Sequence, residues 1–255
     1  MCLLSVAWQS SVELPFIFAG NRDEYHARSS AAAGWWDDQP DILGGRDLVA
    51  GGSWLGVNKN GRIAVVTNRP DLQAPEQDAL SRGELVSGWL ASPGATNIIP
   101  QLPEHHHRYG GFSLLLGQVN PKVPLTMEQV SGGNGMPMLQ RQGVQPGISG
   151  LSNTAIESPW PKLSWLNSEL EQLVAEGKAT TEQLFGLLRR ETPVSEANTG
   201  WVSTRPFIAG SEYGTRCSTV VIVDQHGLCC FIERRFGPDG LELGEAAFEF
   251  NFGAE

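Results

Sequence analysis

Met1-Cys2-Leu3-Leu4-Ser5-Val6-Ala7-Trp8, the polar link Gln9 to Glu13, and Leu14-Pro15-Phe16-Ile17-Phe18-Ala19-Gly20-Asn21-Arg22-Asp23-Glu24-Tyr25 form the stretch that decides the fold. Cys2 to Trp8 is a run of strand formers and Leu14 to Ala19 is a second apolar run, so the spacing predicts an antiparallel hairpin. A hairpin returns the polar string after Ala19 to the neighbourhood of Cys2. A guanidinium there stabilises a thiolate, and a carboxylate orients an ammonium. The competing reading is an Arg22 and Asp23 pair that closes the hairpin end. Successive strand residues point to opposite faces, so if the strand continues only one of the two reaches Cys2.

Cys2 carries its own chemistry. Methionine removal is normally permitted before a small residue, and it would leave Cys2 with both a thiol and a free α-amine. An α-amine titrates at about 7.7 to 8.0, so it can take the thiol proton and later hand it to a departing amine. That is the logic of an N-terminal nucleophile. If Met1 stays attached the amine is acylated, which favours a binding role, and Met-Cys also starts chains by accident.

Outward from the hairpin, strand-like stretches recur at Ser53 to Val57, Arg62 to Thr67, Gly111 to Leu116, Thr219 to Val223, Cys229 to Glu233 and Ala247 to Phe250. Asn60-Gly61 and His226-Gly227 are tight-turn pairs that favour antiparallel connections. Leu163, Leu166, Leu170 and Leu173 predict a helix that opens near Ser158-Pro159, and Thr180 with Gln183 forms a capping box for another. A third helix is expected over Asp78 to Leu90. Residues 118–147, rich in Gly, Pro and Gln, resemble a linker, but strands on both sides favour one domain, 1–255, with decorated loops. The fold class is α+β, antiparallel sheets covered by helices.

The 255 residues carry 18 Lys and Arg against 28 Asp and Glu, a net charge of −10, which disfavours nucleic acid as a partner. Glycine and proline form about 12% of an average chain, and 30 glycines with 16 prolines exceed that share, so turns must be frequent. There is no CxxC, HExxH, CxxCH, GxxxxGK[ST] or GxSxG, which removes the common zinc, covalent haem, nucleotide and serine-hydrolase patterns. Four scattered cysteines make no disulfide scaffold, and no apolar run is long enough for a stable membrane insertion, so a cytoplasmic location is expected.

More of the pattern follows the Asn21 to Glu24 string: Gly51-Gly52-Ser53-Trp54-Leu55-Gly56, Thr67-Asn68, Arg82-Gly83-Glu84-Leu85-Val86, Tyr109-Gly110-Gly111-Phe112, Gly150-Leu151-Ser152-Asn153, Pro159-Trp160-Pro161-Lys162 and Tyr213-Gly214-Thr215-Arg216. These collinear blocks resemble the NRDE family, also called the transport and Golgi organization protein 2 family. The resemblance implies an αββα four-layer sandwich of N-terminal nucleophile hydrolase type, two stacked antiparallel sheets flanked by helices. It also implies a link to intracellular haem binding and trafficking, and a fold similar to choloylglycine and penicillin V acylases, which cleave non-peptide amides. In those acylases the counterparts of Cys2, Arg22, Asp23, Asn153 and Arg216 are catalytic. Carried over, Cys2 attacks the carbonyl, Asp23 holds its amine, Asn153 donates to the oxyanion, and Arg22 and Arg216 shape the field. The acylase Arg and Asp are two residues apart, whereas here they are adjacent.

The expected function is binding of a small amphipathic guest, haem or a similar ligand, by a soluble protein, with Cys2-dependent hydrolysis of an acylated amine as the alternative. Haem would bind reversibly, with apolar walls and a His, Cys, Tyr or Met on iron. Asn21, Tyr25 and His26 in and beside the string, Trp54 in its block, and His107 before Tyr109 are candidate contacts. Trp35, next to Trp36, either lines a pocket mouth or covers a sheet edge. The run His105 to His107 also reads as a solvated loop.

Overall fold

A computed structural model describes residues 2–73, 78–91, 102–154, 160–194 and 204–253. The strands of the first half are β1 (Cys2–Trp8), β2 (Phe16–Tyr25), β3 (Ser30–Trp35), β4 (Ile42–Asp47), β5 (Leu55–Asn58), β6 (Arg62–Asn68) and β7 (Phe112–Gln118). Those of the second half are β8 (Thr126–Gly132), β9 (Gln140–Gly143), β10 (Gly147–Leu151), β11 (Tyr213–Val223), β12 (Leu228–Phe236) and β13 (Glu242–Asn251). Among the described residues the α-helices are α1 (Gly83–Ala91), α2 (Leu102–His105), α3 (Pro161–Ala175) and α4 (Thr181–Leu188). Contacts gather into two compact units, one from residues up to 27 with 145–250, the other from 28–144 with the residues after 250.

The first unit holds a six-stranded antiparallel sheet in the order β10-β1-β2-β11-β12-β13. The opening hairpin forms with Cys2 opposite Arg22 and Trp8 opposite Phe16. Side chains alternate along β1 and β2, so Leu3, Ala7, Ile17 and Ala19 share one face, and with Val220 they bury against Leu163, Leu166 and Leu170 of α3 and Leu184, Phe185 and Leu188 of α4. Each buried Leu, Ile, Val or Phe among them contributes about 1.5–3 kcal/mol of burial free energy. Trp160, extended, precedes Pro161 at the helix start, where a missing N–H costs nothing. The cap expected at Ser158-Pro159 lies outside the described residues. Thr180 caps α4, its hydroxyl accepting from the Gln183 N–H at 3.4 Å.

The second unit is a seven-stranded meander whose order, β3-β4-β5-β6-β7-β8-β9, follows the chain. Helix α1 packs Leu85, Val86, Trp89 and Leu90 on Ile42, Ala64, Val66, Leu114 and Leu116 of that sheet. It begins at Gly83 rather than Asp78, because Leu80 bridges Tyr109 and its N–H donates to the Arg108 carbonyl, which commits Leu80 to a pairing outside the helix. Gly61 takes φ +86° in the turn between β5 and β6. The linker-like 118–147 contains β8 and β9, in register with β7 and with each other. Two antiparallel sheets, each with helices on a face, make the α+β architecture expected of the N-terminal nucleophile class.

Candidate active site

The six-stranded sheet gathers the amino end of β1, the carboxyl end of β2, the start of β11 and the residues just after β10 at one edge of the first unit. Cys2 pairs with Arg22, so their side chains share a face, and Arg22 in turn pairs with Cys217. Strand β2 runs on through the Asn21 to Tyr25 string, which sends Asn21 and Asp23 to the other face, toward α3 and α4. Of the adjacent Arg22 and Asp23, Arg22 alone therefore shares the Cys2 face.

The Cys2 backbone nitrogen donates to Asn153 Oδ1 at 2.8 Å. Asn153 thus holds, through its acceptor atom, the nitrogen that the family resemblance assigns to Asp23. Asp23 is engaged elsewhere. Its Oδ1 accepts from Thr215 Oγ1 at 2.7 Å, and its Oδ2 lies 4.0 Å from Lys162 Nζ, with both side chains sealed from solvent. The Asp23 carbonyl accepts from the Tyr213 hydroxyl at 3.1 Å.

Between Thr215 and Cys217 the β2–β11 register shifts, and Arg216 is the extra residue of this bulge. The bulge lets Thr215 meet Asp23 and Cys217 meet Arg22, and it turns Arg216 along the strand. Arg216 Nη1 donates to the carbonyls of Tyr25 at 2.9 Å and His26 at 3.3 Å, fastening the end of β2. Burial, with Arg22 and Arg235 close by, lowers its proton affinity.

Cys2 keeps part of its surface exposed, yet protein atoms crowd its thiol, and that burial pushes it up. Asp23 and Glu24 add to the rise and Arg22 opposes it. Burial likewise lowers Lys162, while Asp23 and Cys2 work the other way. The arrangement offers a thiol at a strand terminus, its nitrogen oriented by an amide, a guanidinium on its face and a buried ammonium–carboxylate pair behind it. Met1, on whose removal a free amine depends, lies outside the described residues.

The remaining candidates divide between the units. Asn21 donates to the Leu188 and Pro206 carbonyls at 2.9 and 3.0 Å and accepts from Ser218 Oγ at 2.6 Å, so it ties the sheet to the end of α4. Tyr25 is exposed and meets Tyr213 edge-on at 5.1 Å. His26 Nε2 lies 3.0 Å from the Gly210 carbonyl, and its buried Nδ1 has no hydrogen-bond partner. Trp35, Trp54 and His107 belong to the second unit. Trp35 lies under the Lys59 ammonium at 5.3 Å, the Trp54 carbonyl accepts from Val66, and His107 is exposed on a short 3-10 turn. Among the described residues no group of three or more His, Cys, Asp or Glu is arranged to hold a metal, and no helix is long and apolar enough to cross a membrane.

Lys162 and Thr215 were not among the residues expected at the site. The spacing held a sign of Lys162: it falls one residue before Leu163 and four before Leu166, in step with the buried stripe of α3. Thr215 carries no such mark, because its place depends on the bulge.

Among solved structures, a cysteine-to-alanine mutant of conjugated bile acid hydrolase from Clostridium perfringens aligns with TM-score 0.54 at 8% identity, over 100% of this chain and 93% of that one. Another variant of that enzyme aligns with TM-score 0.52 at 8% identity, over 99% and 98%. At such identity the likeness is one of fold. A Bos taurus transport and Golgi organization protein 2 homolog is 31% identical over 260 residues, covering 92% of this chain and 91% of the relative. The Drosophila melanogaster transport and Golgi organization protein 2 is 28% identical, covering 85% and 84%. The family model for transport and Golgi organisation 2, TANGO2, matches residues 1–238, and the chain belongs to that family.

Proposed function

We propose that the chain hydrolyses a non-peptide amide of a small amphipathic molecule, with Cys2 as nucleophile once Met1 is removed. The observation that carries this reading is the 2.8 Å bond from the Cys2 nitrogen to Asn153 Oδ1, which supports a role for that nitrogen as base once Met1 is removed. The bile acid hydrolase likeness supports the scaffold. In the reaction the Cys2 sulfur bonds to the substrate carbonyl carbon while its proton passes to the Cys2 amine. Collapse breaks the C–N bond, and the departing amine takes that proton, leaving a thioester. Water then attacks the thioester, releasing a carboxylic acid and restoring the thiol. Arg22, on the same face, steadies the charge that develops on sulfur. The expected compartment is the cytoplasm, where the four free thiols would stay reduced.

A reversible haem-binding role is the second reading, favoured by the unpartnered Nδ1 of His26. That nitrogen is buried, so iron could reach it only after local opening, and the hydrolytic reading stands first. The test is a panel of N-acyl amino acids and acylated amines given to protein whose Met1 removal is verified by mass spectrometry, with a haem titration alongside. Turnover that vanishes in Cys2→Ala is expected. Turnover that survives this substitution overturns the nucleophile, and a saturable Soret change lost in His26→Ala, with no turnover, decides for the second reading.

A further inference from the structure

We propose that Lys162 is a positioning residue for Cys2, acting through the buried Asp23 carboxylate. Its Nζ lies 4.0 Å from Asp23 Oδ2, the side chains are 1% and 0% exposed, and the Trp160 ring is 5.3 Å from the ammonium. Lys162 is the second residue of α3, where the helix dipole opposes a positive charge, and burial opposes it again. An apolar side chain would fit the stripe of Leu163, Leu166 and Leu170. Replacing a buried ion pair by apolar residues is often neutral or stabilising, so stability does not account for this one.

What accounts for it is its place. Asp23 follows Arg22, the strand partner of Cys2, and both Asp23 and Cys2 act electrostatically on Lys162. The charged and titratable groups around the thiol include Arg22, Asp23 and Glu24 from β2, Tyr213 and Cys217 from β11 and Lys162 from α3. Remove the ammonium and Arg22 is left to offset both Asp23 and Glu24, so the Cys2 thiolate becomes harder to form. Remove the carboxylate alone and the thiolate becomes easier to form.

The inference rests on Cys2 as the reactive thiol, and its test needs no substrate. Cys2 alkylation by iodoacetamide is followed from pH 7 to 10.5 by peptide mass spectrometry. Lys162→Met is expected to move the midpoint up by about one pH unit and slow alkylation at pH 7.5 about tenfold, the change that one unit of thiol pKa produces. Lys162→Arg should stay near wild type, Asp23→Asn should move the midpoint down, and Lys162→Met with Asp23→Asn should return it toward wild type. A Lys162→Met profile that overlays wild type overturns the inference, as does a double variant as displaced as the single one. Should Lys162→Met not fold, Asp23→Asn decides alone, and an unmoved or raised midpoint there is a refutation. Shifted midpoints without amide turnover would reject the hydrolytic reading and leave this one standing, and turnover with unmoved midpoints would do the reverse.

Discussion

Asn21 shows how a polar residue in a conspicuous string can serve the fold. It is 3% exposed, both hydrogens of its amide go to carbonyls, of Leu188 and Pro206, and its oxygen accepts from Ser218. Those partners come from the end of α4, the segment that follows it and β11, so one side chain joins three pieces of chain. Asn21→Ala would strand buried polar groups, and the expected loss of stability is about 2–4 kcal/mol, at one to a few kcal/mol per group left unpaired. Urea unfolding measures it. A loss under about 0.5 kcal/mol, the range of an ordinary surface change, would mean the clasp is not formed. The neighbours of Asn21 divide by parity: Arg22 turns to Cys2, Asp23 to Lys162 and Thr215. The string could be seen in the sequence as a dense polar cluster. Which member faces which partner could not, because that depends on β2 continuing, and it continues because β11 pairs with it from about 190 residues away.

At the scale of elements, β11 and β12 bury two thiols, and these make the sheet sensitive to alkali. Burial pushes up Cys217, with the Glu233 carboxylate adding to the rise, and burial also pushes up Cys229. A thiol held protonated in the native state but free to ionise in the unfolded chain stabilises the fold fully below its unfolded pKa of about 8.5. As pH climbs beyond that value the unfolded chain gives up the proton and the native one keeps it, so each thiol withdraws about 1.4 kcal/mol per pH unit until the native group ionises. Urea midpoints should fall steadily from pH 8.5 to 10.5, and Cys229→Ala should lower stability at neutral pH yet flatten the fall by one thiol's share. Parallel curves for the two proteins would remove Cys229 from the account. Elements were legible in the sequence where local chemistry chose them: the opening hairpin, the Thr180 cap of α4, the Gly61 turn. They were hidden where pairing chose them. Strand β9, Gln140 to Gly143, is exposed and has little strand propensity, and it forms because β8 presents a register for it. The candidate site follows the same division, since Cys2 and Arg22 meet through a hairpin, whereas Lys162 and Thr215 arrive through a helix register and a bulge.

At the scale of the whole molecule, the two sheets differ in how far the chain must travel to close them. In the seven-stranded sheet every strand pairs with its neighbours in sequence, the low-contact-order arrangement that assembles fastest. The six-stranded sheet requires β1 to find β10 and β2 to find β11, with residues 28–144 of the second unit intervening in the chain. Closing such loops carries an entropic cost before any contact repays it. The β1–β2 hairpin alone is marginal, since Leu3, Ile17 and Ala19 are buried only when α3, α4 and Val220 arrive. In refolding followed by pulsed hydrogen exchange, amides of β6 and β7 should therefore gain protection about tenfold faster than those of β2 and β11, a modest gap within the range that contact order produces. The chemistry should follow the later event. Cys2, Asp23, Asn153, Lys162 and Thr215 come from β1, β2, the residues after β10, α3 and β11, so Cys2 should stay open to rapid alkylation after β6 and β7 are already protected. Simultaneous protection of both sheets, with the thiol shielded at the same moment, would mean that the chain folds as one cooperative body and that the long closures do not limit its rate.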